Sequence, residues 1–337
     1  MSTKPRVRGR KYHISHRTNQ LSPSGIRKFF DLLASIEGVI SLGVGEPDYA
    51  TPWHICEAAI ESLQKGQTMY TSNLGMPELR QELSRYLKQH YGLDYDPSSE
   101  LLITVGVSEA LDLAMRAILN PGDEVIMPDP CYVSYNPCVV LAGAKPVMVP
   151  TCEQDNFELS AADIEERITD KTRAILIGYP ANPTGAVMPR ERLAEVAEVA
   201  RRHGLLVVSD EIYAKLVYGV EHTCLATLPG MRENTILLGG FSKAYAMTGW
   251  RIGYAAGPRE IIAAMTKIHQ YTTMCAPTMG QVAAIEALRS GEESVARMVE
   301  DYNRRRLVMV KGLGDIGLPC FEPKGALYAF PSIRCTG

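Results

Sequence analysis

The feature that most constrains the fold of this chain is the alternation of short apolar runs with amphipathic stretches. Seven runs have the length and apolar composition of buried strands: 101–105, 124–127, 145–149, 173–178, 205–209, 235–239 and 251–256. The stretches between them, such as 108–119 and 189–202, place apolar residues at helical spacing. Strands that alternate with helices predict an α/β fold, namely a mostly parallel seven-stranded sheet with helices on both faces.

The two ends of the chain lack this alternation. Residues 21–40 and 286–316 have the pattern of helices with charged faces, and 326–330 (ALYAF) has that of a strand. They predict a second, smaller α+β domain built from both ends, since 337 residues exceed the size of a single core. We therefore divide the chain into four parts: a basic tail at 1–13, the N-terminal part of the small domain at 14–45, a large ligand-binding domain at 46–285, and an incomplete C-terminal part of the small domain at 286–337.

Composition excludes several classes of function. The formal net charge of −3 argues against a nucleic-acid or membrane-surface protein, and no apolar run reaches the 18 or so residues of a membrane span. The eight cysteines form no CxxC pair and no cluster with histidine at metal spacing, which predicts reduced thiols, no metal site and a cytoplasmic location. The stretch 1–30 holds eight basic residues and no acidic one, and we interpret it as a solvated tail rather than a transit peptide or an anion-binding arm.

A glycine turn follows the first predicted strand, in TVGVSEALD at 104–112. Gly106 permits a tight turn into a helix, and the unpaired N–H groups of a helix N-terminus together with its dipole form a seat for phosphate. The alternative is an ordinary strand-to-helix turn with Ser108 as the N-cap.

Two polar side chains follow later strands. Asn182 lies in YPANPTG at 179–185, where flanking prolines make a rigid loop. Asp210 ends an apolar strand in SDEIY, with Tyr213 three residues further on. A carboxylate in that position is costly to bury, so we expect a cation opposite it. The alternative is that Asp210 caps a following helix and that Glu211 complements the helix dipole.

The best nucleophile candidate is Lys243, in GGFSKAYAMTGWRIGY at 239–254, which also holds Ser242 and Arg251. A lysine among small residues after an apolar strand is partly desolvated, which lowers its pKa and frees the neutral amine. The alternative is a plain surface lysine. Together, a phosphate seat, a buried carboxylate, a phenol, an amide and an imine-forming lysine are what pyridoxal 5'-phosphate requires.

In these motifs the chain closely resembles the class I and II aminotransferases of fold type I, from about Ile14 to its last residue. The resemblance also rests on the segments SLGVGEPDYATP, YTSNLGMPELR and DPCYVSY. It implies that Lys243 forms the internal aldimine and carries a proton, that Asp210 pairs with the pyridine nitrogen, and that Tyr213 and Asn182 hydrogen-bond the ring's phenolic oxygen. It further implies that Tyr132 stacks on the ring.

The resemblance also implies how phosphate and substrate are held. The phosphate would bind the Val107 and Ser108 amides and the side chains of Ser242 and Arg251. Gly45, through its backbone N–H, and Asn182 would contact the substrate. Tyr70 would reach the phosphate of a neighbouring subunit, which implies a homodimer.

The predicted reaction moves an amino group from an L-amino acid to a 2-oxo acid by ping-pong chemistry. Ser108 stands where aspartate-specific relatives often carry lysine, so we do not predict an aspartate aminotransferase. Family members continue for roughly fifty residues after ALYAFPSI, and that stretch carries the arginine for the substrate α-carboxylate; Arg334 comes too early to match. The alternatives are a C–S β-lyase, a cofactor-binding regulator, and a catalytically weak fragment that still binds the cofactor.

Overall fold

The computed structural model of this chain describes residues 12–22, 36, 38, 42–43 and 45–336. The chain divides into two compact units, Met1–Gly43 and Val44–Gly337. In the first unit the described residues include one short helix, α1 (His16–Asn19). Most of the predicted basic tail and of the predicted helix at 21–40 lies outside the described residues. The domain boundaries after residues 13, 45 and 285 stay predictions.

One seven-stranded sheet organises the second unit, within the described residues. Its strands are β1 (Leu101–Thr104), β2 (Glu124–Asp129), β3 (Lys145–Pro150), β4 (Thr172–Ile177), β5 (Leu206–Asp210), β6 (Thr235–Gly240) and β7 (Gly253–Ala256). Their order across the sheet is β1-β7-β6-β5-β4-β2-β3. Strand β7 is antiparallel to both of its neighbours, and the other pairs are parallel. The predicted mostly parallel sheet is confirmed.

Helices cover both faces of this sheet, as the alternating pattern predicted. Val125 and Met127 of β2 pack in one apolar core, whereas Ile126 between them packs in another on the opposite face. The helices described in this unit are α2 (Trp53–Gln64), α3 (Pro77–Tyr91), α4 (Gly106–Ile118), α5 (Tyr135–Ala142), α6 (Ala161–Glu165), α7 (Arg190–Arg202), α8 (Arg259–Thr272), α9 (Thr278–Ser290) and α10 (Glu292–Asp315). No helix among the described residues is long and apolar enough to cross a membrane.

Two predicted elements differ from the structure. The helix predicted at 286–316 is divided at Gly291, where α9 ends and α10 begins. A Cβ on Gly291 would lie 2.6 Å from the ring of Tyr245, so only glycine allows this close approach.

The strand predicted at 326–330 is wrong. Ala326 has a φ of 58°, in the left-handed region, which interrupts an extended chain. The backbone there makes only an isolated bridge, between Gly325 and Val217, within the described residues. The apolar side chains of the segment pack instead against Tyr213 and Leu216, so tertiary packing replaces strand pairing.

Candidate active site

The candidate site lies at the edge of the sheet where the parallel strands end. Asn182 follows β4, Asp210 ends β5, and Lys243 follows β6, so neighbouring parallel strands deliver the three side chains to the same edge. Because β7 runs the opposite way, its first residues are at this edge too, which brings in Arg251. The topology therefore assembles residues that are far apart in sequence.

Asp210 is a buried carboxylate held by neutral donors. Its side chain accepts hydrogen bonds from the hydroxyl of Tyr135 at 3.0 Å and from the backbone N–H of Ile212 at 3.2 Å. Burial raises the pKa of Asp210 to about 6. Within the described part of the chain no cationic side chain forms an ion pair with it. No helix follows Asp210, so the alternative that it caps one is wrong.

Tyr135 reaches Asp210 because Gly178, at the end of β4, has no side chain: a Cβ there would overlap the Tyr135 hydroxyl. The ring of Tyr132 lies edge-to-face on that of Tyr135, with centroids 5.6 Å apart. Tyr132, on the loop after β2, therefore lies next to Tyr135, which donates to Asp210. This places Tyr132 close to Asp210, as the prediction that it stacks on the cofactor ring requires.

Lys243 points into the site. Its Nζ donates a hydrogen bond to the backbone carbonyl of Gly45 at 2.6 Å and lies 5.8 Å from the centre of the Tyr213 ring. Burial lowers the pKa of Lys243, and the nearby Arg251 lowers it further, against the opposing effects of Glu46 and Asp210. The amine is therefore more readily neutral than a surface lysine, as its sequence context predicted.

A cluster of phenols and an amide lies beside Lys243. The hydroxyls of Tyr213 and Tyr328 share a short hydrogen bond, and Asn182 Nδ2 donates to the Tyr328 hydroxyl at 3.0 Å. A Cβ on Gly45 would overlap the Tyr328 phenol, so glycine is required for the close approach. Burial raises the pKa of Tyr213 far above its ordinary value, which keeps this hydroxyl protonated as a donor.

The predicted phosphate seat lies at the turn between β1 and α4. Gly106 has a φ of 71°, and a Cβ on it would lie 2.6 Å from Nη2 of Arg251. The guanidinium therefore lies directly over the turn whose first helical N–H groups have no intrahelical acceptor. The N-cap is Val105, so the alternative role of Ser108 as the N-cap is wrong; Ser108 lies exposed in the first turn. Ser242 is buried.

Comparison with known proteins identifies the family of this site. The family model described as aminotransferase class I and II matches residues 37–336. The chain belongs to the class I and II aminotransferases. It is 55% identical to the putative aminotransferase YugH of Bacillus subtilis, over 96% of this chain and 84% of that protein. It is 46% identical to aromatic-amino-acid aminotransferase 2 of Thermococcus litoralis, again over 96% and 84%.

The fold of this aminotransferase is also that of solved relatives. It superimposes on the crystal structure of the aspartate aminotransferase from Rhizobium meliloti with a TM-score of 0.92 and 37% identity, covering 96% of this chain and 82% of that one. The fold is therefore that of the pyridoxal-phosphate-dependent enzymes of fold type I. The named relatives are aminotransferases, so the alternative of a C–S β-lyase is not favoured.

The residues of this aminotransferase fit its cofactor, pyridoxal 5'-phosphate. A protonated pyridine nitrogen suits the Asp210 carboxylate, which is buried without a cationic partner among the described residues. The Gly106 turn, which a Cβ would fill, and the guanidinium of Arg251 suit a phosphate. Lys243, with its lowered pKa, suits the carbonyl carbon.

The structure brings most of the predicted residues of this aminotransferase together, but it adds two and separates one. Tyr135 and Tyr328 were not predicted. Tyr135 lies three residues after Tyr132 in the same motif, and this proximity is the sequence feature that indicates a role in the site. Tyr328 lies in the segment for which the sequence predicts a strand. Tyr70 is not in the cluster: its side chain is 80% exposed.

Proposed function

We propose that Lys243, Asp210 and Tyr213 are the catalytic residues with which this aminotransferase moves an amino group from an L-amino acid to a 2-oxo acid. The observation that carries the proposal is the placement of a lysine with a lowered pKa and a buried, unpaired carboxylate at one edge of the sheet. Such a pair matches the two ends of a pyridoxal ring, an aldehyde carbon and a basic nitrogen.

In this proposal the cofactor, when bound, supplies an electron sink that weakens the bonds at the substrate's Cα. Asp210 holds a proton on the pyridine nitrogen, and the hydrogen bonds from Tyr135 and Ile212 keep the carboxylate oriented. Tyr213 and Asn182 donate to the ring's phenolic oxygen, and Tyr132 packs on the ring face. The Val107 and Ser108 amides, Ser242 and Arg251 bind the phosphate.

Lys243 has two tasks in this proposal. Its amine would hold the carbonyl carbon of the cofactor in the resting enzyme, and the same amine, when free and neutral, would accept the proton from the substrate's Cα. A lowered pKa serves both tasks because each needs the neutral amine. The Gly45 N–H and Asn182 orient the substrate, next to the carbonyl of Gly45 that Lys243 contacts at 2.6 Å.

We further propose that the enzyme is a homodimer in which Tyr70 reaches the partner's phosphate. The exposure of Tyr70 supports this, as does the anchoring of its neighbours: Met69 O accepts from Thr278 Oγ1 at 2.7 Å and Thr71 Oγ1 from Gln281 Nε2 at 2.9 Å. The backbone is therefore held by α9 while the phenol faces outward. A cytoplasmic location is supported by the eight free cysteines.

The test is chemical labelling of the lysine. The purified chain, loaded with pyridoxal phosphate and treated with borohydride, is expected to carry a pyridoxyl group on Lys243 in peptide maps. Lys243→Ala is expected to abolish both the label and the transfer of amino groups to 2-oxoglutarate, because the variant lacks the amine that is proposed to accept the proton from Cα.

The matched control is Lys215→Ala. Lys215 is also largely buried, with 15% of its side chain exposed, but its Nζ is paired with Glu292. This variant is expected to keep the label and the activity. A label on any lysine other than Lys243, or release of ammonia and pyruvate without amino transfer, would show the proposed function to be wrong.

A further inference from the structure

Glu109 is an acidic residue in the same helical turn as the proposed phosphate seat. Its Oε2 accepts a hydrogen bond from the backbone N–H of Val105 at 2.6 Å, at the entrance of the Gly106 turn. The side chain thus bonds the first residue of the segment whose later amides, those of Val107 and Ser108, are proposed to bind the phosphate. Val105 is the N-cap and makes no side-chain capping bond; Glu109 accepts the N–H of Val105 itself, as the acidic residue of a capping box does, so the contact leaves the Val107 and Ser108 N–H groups unused.

Two side chains from the end of α8 hold the other oxygen of this carboxylate. Glu109 Oε1 lies 2.9 Å from Nδ1 of His269 and accepts from Thr273 Oγ1 at 2.7 Å. His269 is fully buried, and its Nε2 has no hydrogen-bond partner among the described residues. Burial raises the pKa of Glu109, but the bonds from His269, Val105 and Thr273 outweigh burial and hold it below its usual range.

The helix dipole favours an acidic residue in the first turn of α4, but a bound phosphate would occupy the same positive end of the helix. A carboxylate one turn from a bound phosphate repels it, which weakens rather than strengthens phosphate binding. The three donors offset the cost of burying Glu109, and they come from two different elements, the Val105 turn and the end of α8. The arrangement therefore serves to fix the backbone of the turn against α8.

We propose that Glu109 is a positioning residue for the phosphate seat: clamped by His269 and Thr273, it holds the Val105 N–H so that the turn presents the Val107 and Ser108 amides to the cofactor phosphate. The inference rests on the proposed role of those two amides. Glu109 itself does not touch the phosphate in this scheme; it acts through the backbone it holds.

The test compares two ligands that differ only in the phosphate. Dissociation constants of pyridoxal 5'-phosphate and of pyridoxal are measured by absorbance on the apo forms of the wild type, Glu109→Ala, Glu109→Gln and the control Asp112→Ala. Asp112 lies on the same helix, and its ion pair among the described residues is an exposed contact with Arg116. Glu109→Ala is expected to raise the dissociation constant of pyridoxal phosphate about tenfold, which corresponds to the loss of one charged hydrogen bond. The dissociation constant of pyridoxal is expected to stay unchanged.

Glu109→Gln is expected to stay within about threefold of the wild type, because an amide oxygen still accepts from Val105. Thr273→Val, an exposed and nearly isosteric change, is expected to weaken phosphate-dependent binding about threefold and provides the test should Glu109→Ala fail to fold.

Tighter binding of pyridoxal phosphate by Glu109→Ala or Glu109→Gln would overturn the proposal, since Glu109 would then act by repulsion alone. Equal loss of both ligands, or no change in Thr273→Val, would also overturn it. Failure of the proposed function gives a different result: the wild-type protein itself would then bind pyridoxal phosphate and pyridoxal equally well.

Discussion

At the scale of single residues, the site depends on groups whose charged states are made costly by burial. Asp210 accepts hydrogen bonds from two neutral donors, which stabilise its charge less than a cation does. Its pKa of about 6 is the consequence. A residue arranged in this way destabilises the fold at neutral pH and gains its favourable partner only when a cationic ligand is bound.

The first prediction concerns Asp210→Asn in the apo protein. The pKa of Asp210 in the folded protein is raised above its ordinary value. The stabilisation that its protonated form provides is therefore fully present below about pH 4 and is lost as the pH rises through about 6. We therefore expect the variant to gain stability relative to the wild type by about 2.5 kcal/mol between pH 4 and pH 7. Urea unfolding at four pH values measures the difference.

The control for this prediction is Asp112→Asn, since Asp112 is a partly exposed carboxylate paired with Arg116. No gain that grows with pH is expected from it. If the stability difference between Asp210→Asn and the wild type stays flat from pH 4 to pH 7, the carboxylate is already compensated in the apo protein.

At the scale of elements, the proposed phosphate seat depends on the close approach of β7 to the beginning of α4. Gly253 begins β7, paired with Thr104 of β1 on one side and Gly240 of β6 on the other. A Cβ on Gly253 would lie 2.5 Å from the carbonyl carbon of Gly106 and 2.6 Å from the amide nitrogen of Val107. The glycine is therefore what lets β7 support the beginning of α4.

The second prediction follows from this contact. Gly253→Ala is expected to raise the dissociation constant of pyridoxal phosphate at least about tenfold, because β7 is fixed between two strands and the start of α4 must move instead. The unfolding free energy is expected to fall by about 1–3 kcal/mol, as for other overpacked sites. Absorbance titration and thermal unfolding provide the two measurements.

Gly249→Ala is the matched control, since Gly249 lies in the loop that leads into β7 and a Cβ there would meet no atom within 4 Å. It is expected to match the wild type in both measurements. Normal cofactor binding by Gly253→Ala would mean that the amides of this turn do not hold the phosphate.

At the scale of the whole molecule, the proposed dimer would complete each active site with Tyr70 of the other copy. Tyr70 is exposed while the residues on both sides of it are hydrogen-bonded to α9. An outward phenol on a fixed backbone suits a contact made in a symmetric dimer, where each subunit completes the other's site.

The third prediction uses mixed dimers. Tyr70→Phe is expected to bind pyridoxal phosphate about tenfold more weakly, and Lys243→Ala to be inactive. A mixed dimer contains one Tyr70→Phe chain and one Lys243→Ala chain. One of its two sites then has Lys243 from the first chain and the intact Tyr70 from the second. We therefore expect about half of the wild-type turnover and one tight cofactor site. Differently tagged chains allow the mixed dimer to be purified.

Tyr271→Phe paired with Lys243→Ala provides the comparison, because Tyr271 is equally exposed, at 83%. Its own dimer is expected to bind the cofactor as the wild type does. If the Tyr70→Phe mixed dimer shows only weak cofactor binding, Tyr70 acts within its own subunit; if the protein is a monomer, the proposed dimer is wrong.

The sequence by itself determined the sheet and the loops that carry the chemistry. Buried strands have a continuous apolar composition and helices have a period of 3.6, and both patterns are local. The glycine and proline motifs around Gly106, Asn182 and Lys243 are local too, since turn chemistry depends on neighbouring residues. The fold, the family and the positions of these residues at strand ends could therefore be predicted without tertiary information.

Only the tertiary structure decided which further side chains enter the site. Tyr135 meets Asp210 across 75 positions in sequence, and Tyr328 meets Tyr213 across 115. Residues 326–330 form a short apolar run like that of a strand, yet the packing of Ala326, Leu327 and Tyr328 against Tyr213 and Leu216 prevails over strand pairing. Local patterns report a residue's own periodicity and turn preference, whereas its partners depend on how distant elements pack, and the energy of that packing exceeds local propensity.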